Sequence, residues 1–124
     1  MAKMDYNLAW RFLNDYAFDG ELSRASIHCY RGALYDHEGN ILMGSYHPKS
    51  HEILLHTGSA VSLHEGGVLE ALYHEMVHQY LEEVYPGNRT IHGSLYWDTY
   101  YEGLRKLERR LRSNFQVQRS RPAA

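Results

Sequence analysis

The sequence predicts an α+β fold in which a small mixed β-sheet packs against three helices. Apolar residues recur at spacings of three and four in three segments, near the start, the middle and the end of the chain. Three short runs typical of strands lie between the first two of these segments. With 124 residues and a hydrophobic share of 44%, the chain has the size of one domain with its own core. We expect that domain to span residues 1–118.

The first half of the chain predicts one helix followed by three strands. The helix is expected over residues 5–18, because Asp5 is a candidate N-cap and Gly20 ends the helical pattern. The strands are expected in SIHCYRGALY from residue 26, NILMGSYH from residue 40 and HEILLHT from residue 51. The segments DHEG and PKS between them are typical of turns. We therefore expect a small meander ahead of the next helix.

The second half predicts two more helices. One is expected over residues 67–85, because the Pro-Gly pair after it is a stop signal and its apolar residues share one arc: Leu69, Leu72, Tyr73, Met76, Val77, Tyr80 and Val84. The last helix is expected from about Ser94 to Arg112, with a stripe formed by Tyr96, Tyr100, Leu104, Leu107 and Leu111. After it, NFQVQ is expected to form a short closing strand, and residues 119–124 a disordered tail.

The segment HEMVH places two histidines one helical turn apart. His74 and His78 lie just beside the apolar arc, so both imidazoles are expected at the edge of the core, where they can share a metal ion. His92 is the candidate third ligand, because it begins HGSLYWD at the start of the last helix, after a loop that turns back. Water would fill the fourth position. Two alternatives stay open: Glu102 as the third ligand, or a helix that only carries two surface histidines.

In that arrangement the expected chemistry is metal-assisted hydrolysis. Zinc lowers the pKa of a bound water toward about 7 and polarises a substrate carbonyl. Glu75 is next to His74 on the helix, so it lies near the metal without binding it and acts as general base. A protein or peptide substrate is expected to pair in extended form with the edge strand beside the cleft, either EILLH or its neighbour. Such main-chain hydrogen bonds are the same for every substrate sequence, so sequence specificity would be low.

The same residues resemble a known family. HEMVHQYL followed by IHGSLYWDTY is similar to the SprT-like zinc metalloproteases, whose bacterial members and eukaryotic Spartan proteases share a metal helix HExxH and a later HGxxF. FLNDYAFDGEL, from residue 12 to residue 22, resembles the family's helix-one segment N-x-x-F-F-x-x-x-L. MGSY before EILLH resembles an A-G turn that precedes an I-x-L-S strand. The resemblance covers the chain from about Tyr6 to Val117.

The resemblance implies a zincin-like fold and the activity of a zinc metalloendopeptidase. Carried over position by position, it implies that His74, His78 and His92 bind Zn²⁺ and that Glu75 is the general base. Tyr96 stands where the family commonly has Phe, and it is expected in the core.

This chain departs from the family pattern at two further points. Gln79 stands where the family usually has Ala, and it is expected on the exposed side of the metal helix. Cys29 is the only cysteine, so the cysteine zinc ribbon of many family members cannot form. The missing ribbon argues against DNA-targeted proteolysis but not against the hydrolytic core.

Several other side chains are candidates for the cleft. A hydrogen bond to the oxyanion is open to three tyrosines, although packing is the usual role of such residues: Tyr46, Tyr96 and Tyr100. Four histidines near the strands and the following loop are expected to have surface or hydrogen-bonded roles rather than to bind metal: His47, His51, His56 and His64.

The charge pattern bears on partners and compartment. The net charge is -2, yet seven of the thirteen Lys and Arg lie near the end of the chain: Arg105, Lys106, Arg109, Arg110, Arg112, Arg119 and Arg121. A basic run on a terminal helix is usually a solvated face, so we expect at most weak DNA contact. The single cysteine and the lack of a signal peptide or membrane-spanning run predict a cytoplasmic protein. Two rival functions are an idle zinc-binding interaction fold and a small nucleic-acid-binding module.

Overall fold

The computed structural model describes residues 4–31, 34–35, 37–39, 41–57, 65–87 and 92–120. These residues form three helices and five strands in the order α1 (Tyr6–Ala17), β1 (Ser26–Tyr30), β2 (Leu34–Tyr35), β3 (Ile41–Leu42), β4 (Gly44–His47), β5 (Glu52–His56), α2 (Glu65–Val84) and α3 (Ser94–Ser120). The predicted α+β class is therefore confirmed. Within the described residues, no helix is both long and apolar enough to cross a membrane.

Helix α1 begins and ends close to the predicted positions. The Asp5 carboxylate caps it by accepting hydrogen bonds from the amides of Asn7 and Leu8, both at 3.1 Å. At the other end, the amide of Gly20, whose φ is 70°, donates to the carbonyl of Asn14 at 2.8 Å. The residues that α1 buries are Trp10, Asn14 and Ala17.

The main sheet has three strands in the order β1-β5-β4. β1 pairs with β5 in parallel, with Ser26 opposite Glu52 and Tyr30 opposite His56. β4 pairs with β5 in the antiparallel sense, with Gly44 opposite Leu55. β2 and β3 form a separate antiparallel pair. The sheet is mixed, as predicted.

The predicted meander, in contrast, is wrong. Two of the three predicted runs each contain two strands: the first contains β1 and β2, and the second contains β3 and β4. Parallel strands such as β1 and β5 need a crossover of about a dozen residues or more between them. The chain between β1 and β5 supplies this crossover and forms β2, β3 and β4 on the way.

Helix α2 lies in the middle of the fold, in contact with β4, β5, α1 and α3. It therefore buries apolar residues around much of its circumference: Val68, Ala71, Leu72, Tyr73, Met76, Val77 and Leu81. Ile53 and Leu55 of β5 belong to the same core and have no exposed surface. Val84, which the predicted arc includes, is exposed at the end of the helix.

Gln79 corrects the prediction that it faces solvent, because it is 0% exposed. Its carbonyl oxygen accepts a hydrogen bond from Trp10 Nε1 at 3.2 Å. Its amide nitrogen donates to the carbonyl of Ser23 at 2.7 Å and to the Glu83 carboxylate at 2.8 Å. A buried amide is tolerated here because both its oxygen and its nitrogen have partners.

Helix α3 is longer than predicted and continues past Arg112 to Ser120. The predicted closing strand is wrong, since its residues are helical. No glycine or proline follows Gly103 until Pro122, so the sequence contains no strong stop signal in this stretch. Residues 121–124, the larger part of the predicted tail, lie outside the described residues.

Basic side chains of α3 hold it against the end of α1. Lys106 Nζ donates to Asp19 at 2.6 Å, and Arg110 pairs with the same carboxylate. Arg110 also donates to the carbonyls of Asp15 and Tyr16, each at 3.0 Å. These carbonyls belong to the last turn of α1, so Arg110 caps the C-terminus of that helix. The hydrogen bonds from Lys106 and Arg110 lower the pKa of Asp19.

Candidate metal centre

Three histidines from two parts of the chain meet at one point. His74 and His78 lie one turn apart on α2, and His92 lies two residues before α3. Their Nε2 atoms form a small triangle: His74 to His78 is 3.3 Å, His78 to His92 is 3.1 Å, and His74 to His92 is 3.2 Å. These three residues are therefore close enough to bind one metal ion.

The size of this triangle fits a tetrahedral ion. At the usual Zn–N length of about 2.0–2.1 Å, two tetrahedral ligands lie about 3.3–3.4 Å apart. Hydrogen bonds among the three rings are a poor alternative explanation, because each Nε2–H is directed at one acceptor and cannot satisfy two neighbours at once. His74 and His78 are half-buried and His92 is exposed, so the triangle opens toward solvent. Catalytic zinc sites have such a three-ligand arrangement with an accessible fourth position.

The protonation of His74 and His78 also favours metal binding. Burial lowers the pKa of His74, and the neighbouring His92 adds to this effect. Burial, followed by His74 and His92, lowers the pKa of His78 to about 4. Both imidazoles are therefore neutral at pH 7. A neutral imidazole has the nitrogen lone pair that a metal ion requires.

Glu75 lies beside the triangle and is shielded from water. It is 7% exposed, and burial raises its pKa to about 7. A Cβ atom built at Gly44 of β4 would be 3.3 Å from Glu75 Cγ. Strand β4 therefore runs directly past this carboxylate. The sheet and α2 together hold a carboxyl group that gains and loses its proton near neutral pH.

Tyr96 of α3 packs under the three imidazoles and has no exposed surface. Its ring centroid lies 5.2 Å from that of His74, 4.8 Å from that of His78 and 4.9 Å from that of His92. Its hydroxyl is 2.6 Å from His74 Nδ1 and also donates to the His74 carbonyl at 3.3 Å. Its predicted place in the core is confirmed. A buried hydroxyl already bound to His74 is not accessible to a substrate oxyanion.

Sequence reasoning missed the contact between Tyr96 and His74. The only signal was the hydroxyl itself, at a position where the SprT-like pattern commonly has Phe.

The other two tyrosines proposed for the oxyanion differ from each other. Tyr100 is half-buried, whereas the Tyr46 hydroxyl is buried without a hydrogen-bond partner among the described residues. Burial, with smaller contributions from nearby Glu residues, raises the pKa of Tyr46 to about 12.

Glu102, the alternative third ligand, does not lie with the histidines. It is exposed on α3, where its carboxylate accepts hydrogen bonds from Arg105 at 2.8 and 3.1 Å. The hydrogen bond with Arg105 is the main reason that the pKa of Glu102 is lowered. Among the described residues, the candidate metal-binding group contains His92 and not Glu102.

The remaining histidines have different surroundings. His47 is exposed and its Nε2 lies 2.9 Å from Ser45 Oγ, and His51 is also exposed. His56 departs from the prediction: it is 1% exposed, and neither ring nitrogen has a hydrogen-bond partner among the described residues. His64 lies outside the described residues.

The order of the strands decides which of them a substrate could pair with. β5, the EILLH segment, is paired on both sides and has no free edge. Its neighbour β4 is an outer strand of the three-stranded sheet, as far as the described residues show. β1 is the other outer strand, so both neighbours of β5 have an open edge among the described residues. Of these two, β4 is the strand that passes Glu75.

Comparisons with protein-family models, with curated proteins and with solved structures found no match for this chain. The arrangement of the three histidines, Glu75 and strand β4 is therefore the basis on which a function can be assigned.

Proposed function

We propose that this protein is a zinc-dependent metallopeptidase with a zincin-like fold of the SprT-like kind. One observation carries the proposal: the Nε2 atoms of His74, His78 and His92 lie 3.1–3.3 Å apart, and the next residue after His74 is the buried Glu75. A site that only stabilises a fold has no need for a carboxyl group whose pKa is raised to about 7.

His74, His78 and His92 are the residues that would hold the ion. Three imidazoles around an exposed position favour zinc among the common divalent metals of proteins, although imidazole also binds copper, iron and nickel. When bound, zinc supplies a Lewis acid that polarises a carbonyl oxygen and makes water acidic near neutral pH.

Glu75 is the general base of the proposed reaction. Its ionised carboxylate accepts a proton from the attacking water and then donates that proton to the leaving amine. Burial raises its pKa to about 7, so both protonation states are accessible near neutral pH. A base with a pKa near the working pH is the most effective for transfer in both directions.

Strand β4 is the proposed docking edge for the substrate. An extended peptide that adds to β4 forms main-chain hydrogen bonds, which are the same for every sequence. Gly44 lies against Glu75, so a peptide bond paired near Gly44 is brought close to the base. Backbone recognition of this kind predicts cleavage of unfolded proteins with low sequence specificity.

The decisive experiment compares the wild type with Glu75→Gln. The substitution preserves the size of the side chain but removes its ability to accept a proton. We expect one zinc per chain in both proteins by metal analysis, and a loss of about 10²–10⁴-fold in the cleavage rate of an unfolded protein. Glu82→Gln, which removes an exposed carboxylate from the same helix, is the matched control and should retain activity. Equal cleavage by all three proteins would refute the peptidase proposal.

Two rival functions have separate signatures. If the wild type binds zinc but never cleaves, the site belongs to an interaction fold. A nucleic-acid-binding module requires free cations, yet in the described residues Lys106 and Arg110 are engaged with Asp19, and Arg105 with Glu102. No contact within the described part of the chain favours this second rival.

A further inference from the structure

We propose that Tyr96 is a positioning residue of the metal centre, which sets the tautomer and ring orientation of His74. Its hydroxyl lies 2.6 Å from His74 Nδ1, on the opposite side of the imidazole from the Nε2 that faces His78 and His92. This inference depends on the proposed metal site but not on peptidase activity.

The contacts of Tyr96 match the tautomer of His74 that metal binding at Nε2 requires. A metal ion on Nε2 uses the lone pair of that nitrogen, so Nδ1 is the nitrogen of a neutral His74 that carries the hydrogen. Nδ1–H then donates to the Tyr96 oxygen at 2.6 Å, and the single phenol hydrogen is left for the His74 carbonyl at 3.3 Å. Nε2 is the atom that points into the triangle.

This arrangement is the one that a metal-binding histidine requires. Such residues usually donate their second ring N–H to an oxygen, which fixes the ring and makes the free nitrogen a better donor. Among the described residues, His74 is the only one of the three histidines whose Nδ1 has a hydrogen-bond partner. His74 is therefore the ligand with the most fixed orientation.

Packing alone does not account for a tyrosine at this position. Tyr96 is fully buried, and its ring contacts all three imidazoles, which a phenylalanine ring would also do. The hydroxyl adds a polar group at a buried position, which is unfavourable unless the group is hydrogen-bonded. Its two bonds both go to His74. The hydroxyl therefore acts on the ligand rather than on the core.

The test compares zinc affinity in Tyr96→Phe and the wild type by competition with a chromophoric chelator. Loss of an outer-shell partner typically weakens metal binding about 10–100-fold, and we expect a decrease in this range. Tyr101→Phe, which changes an exposed tyrosine of the same helix, is the matched control and should bind zinc as the wild type does. An affinity of Tyr96→Phe within about twofold of the wild type would overturn the proposal, since that is well below the range expected for such a partner.

Nitrogen-15 NMR of the metal-free wild type gives an independent measurement that does not depend on how the variant folds. We expect His74 to carry its proton on Nδ1, whereas neutral histidine without a partner favours Nε2–H. Observation of the Nε2–H tautomer at His74 would also overturn the proposal. Neither measurement uses cleavage, so a failure of the peptidase proposal with Glu75→Gln leaves this inference to be judged separately.

Discussion

Gly44 faces Glu75 across the boundary between the sheet and α2: a Cβ atom at Gly44 would lie 3.3 Å from Glu75 Cγ. The same atom would lie 2.9 Å from the carbonyl oxygen of Leu54. A strand with an open edge thus approaches the proposed base closely because residue 44 has no side chain. This contact connects the proposed docking edge to the proposed chemistry.

Gly44→Ala is expected to reduce both stability and activity. The added methyl group meets the Leu54 backbone, which cannot rotate away, so β4 must shift relative to β5. Overpacking of this kind costs about 1–3 kcal/mol of unfolding free energy. Urea denaturation and the cleavage rate measure the two effects. Gly67→Ala is the control, because a Cβ at that position in α2 meets nothing within 4 Å; an equal effect of both variants would contradict the role of the close contact.

Glu75→Gln is expected to stabilise the metal-free protein at high pH. The pKa of Glu75 is raised from 4.5 to about 7 by burial, so the folded state holds the proton more strongly than the unfolded state. The protonated Glu75 carboxyl contributes to the free energy of unfolding in full below pH 4.5, and this contribution is lost as the pH rises toward 7. Each pKa unit corresponds to about 1.4 kcal/mol, so the loss is about 3 kcal/mol.

Glutamine has no proton to lose, so the variant avoids this penalty. Denaturant unfolding in the presence of a chelator should therefore show a gain in stability of Glu75→Gln over the wild type between pH 4.5 and pH 8. Glu82→Gln, at an exposed position of the same helix, is the reference for the removal of a negative charge. If the difference in unfolding free energy between wild type and Glu75→Gln does not change with pH, burial does not raise the pKa of Glu75 in the folded protein.

His92→Ala is expected to abolish or greatly weaken zinc binding. It removes one corner of the Nε2 triangle and leaves only the two ligands of α2. The loss should exceed the roughly 10–100-fold that an outer-shell change costs. Competition titration measures it, and His37→Ala, which removes an exposed histidine between β2 and β3, is the control. Full retention of zinc by His92→Ala would show that another residue is the third ligand.

DNA binding by this protein is expected to be weak and to disappear as salt increases. Several basic side chains of α3 already pair with acidic groups: Arg105, Lys106, Arg110 and Arg112. Each phosphate contact contributes a slope of about -0.9 in log affinity against log salt, so a few contacts give about -3. Fluorescence anisotropy with a labelled duplex at about 50 and 200 mM salt measures this slope. Tight binding at the higher salt would make nucleic acid a principal partner.

Local signals in the sequence were sufficient to locate the three helices, apart from the end of α3, and to place two histidines together on α2. Asp5 and Gly20 mark the ends of α1, because capping depends on residues within one turn. The spacing of His74 and His78 places both rings on one side of a helix whatever surrounds it. His92 could be predicted as the third ligand because only a short segment joins the two helices, which limits how far His92 can lie from the end of α2.

Only the tertiary structure decided which surfaces are covered. Periodicity predicts that α2 has an apolar face, but α2 lies between the sheet, α1 and α3, so Gln79 and Glu75 are buried as well. The pairing of β1 with β5 joins segments more than twenty residues apart, and no local pattern encodes a parallel partner. The hydrogen bond between Tyr96 and His74 has the same origin: it depends on the angle at which α3 packs on α2, which is set by all the side chains between the two helices.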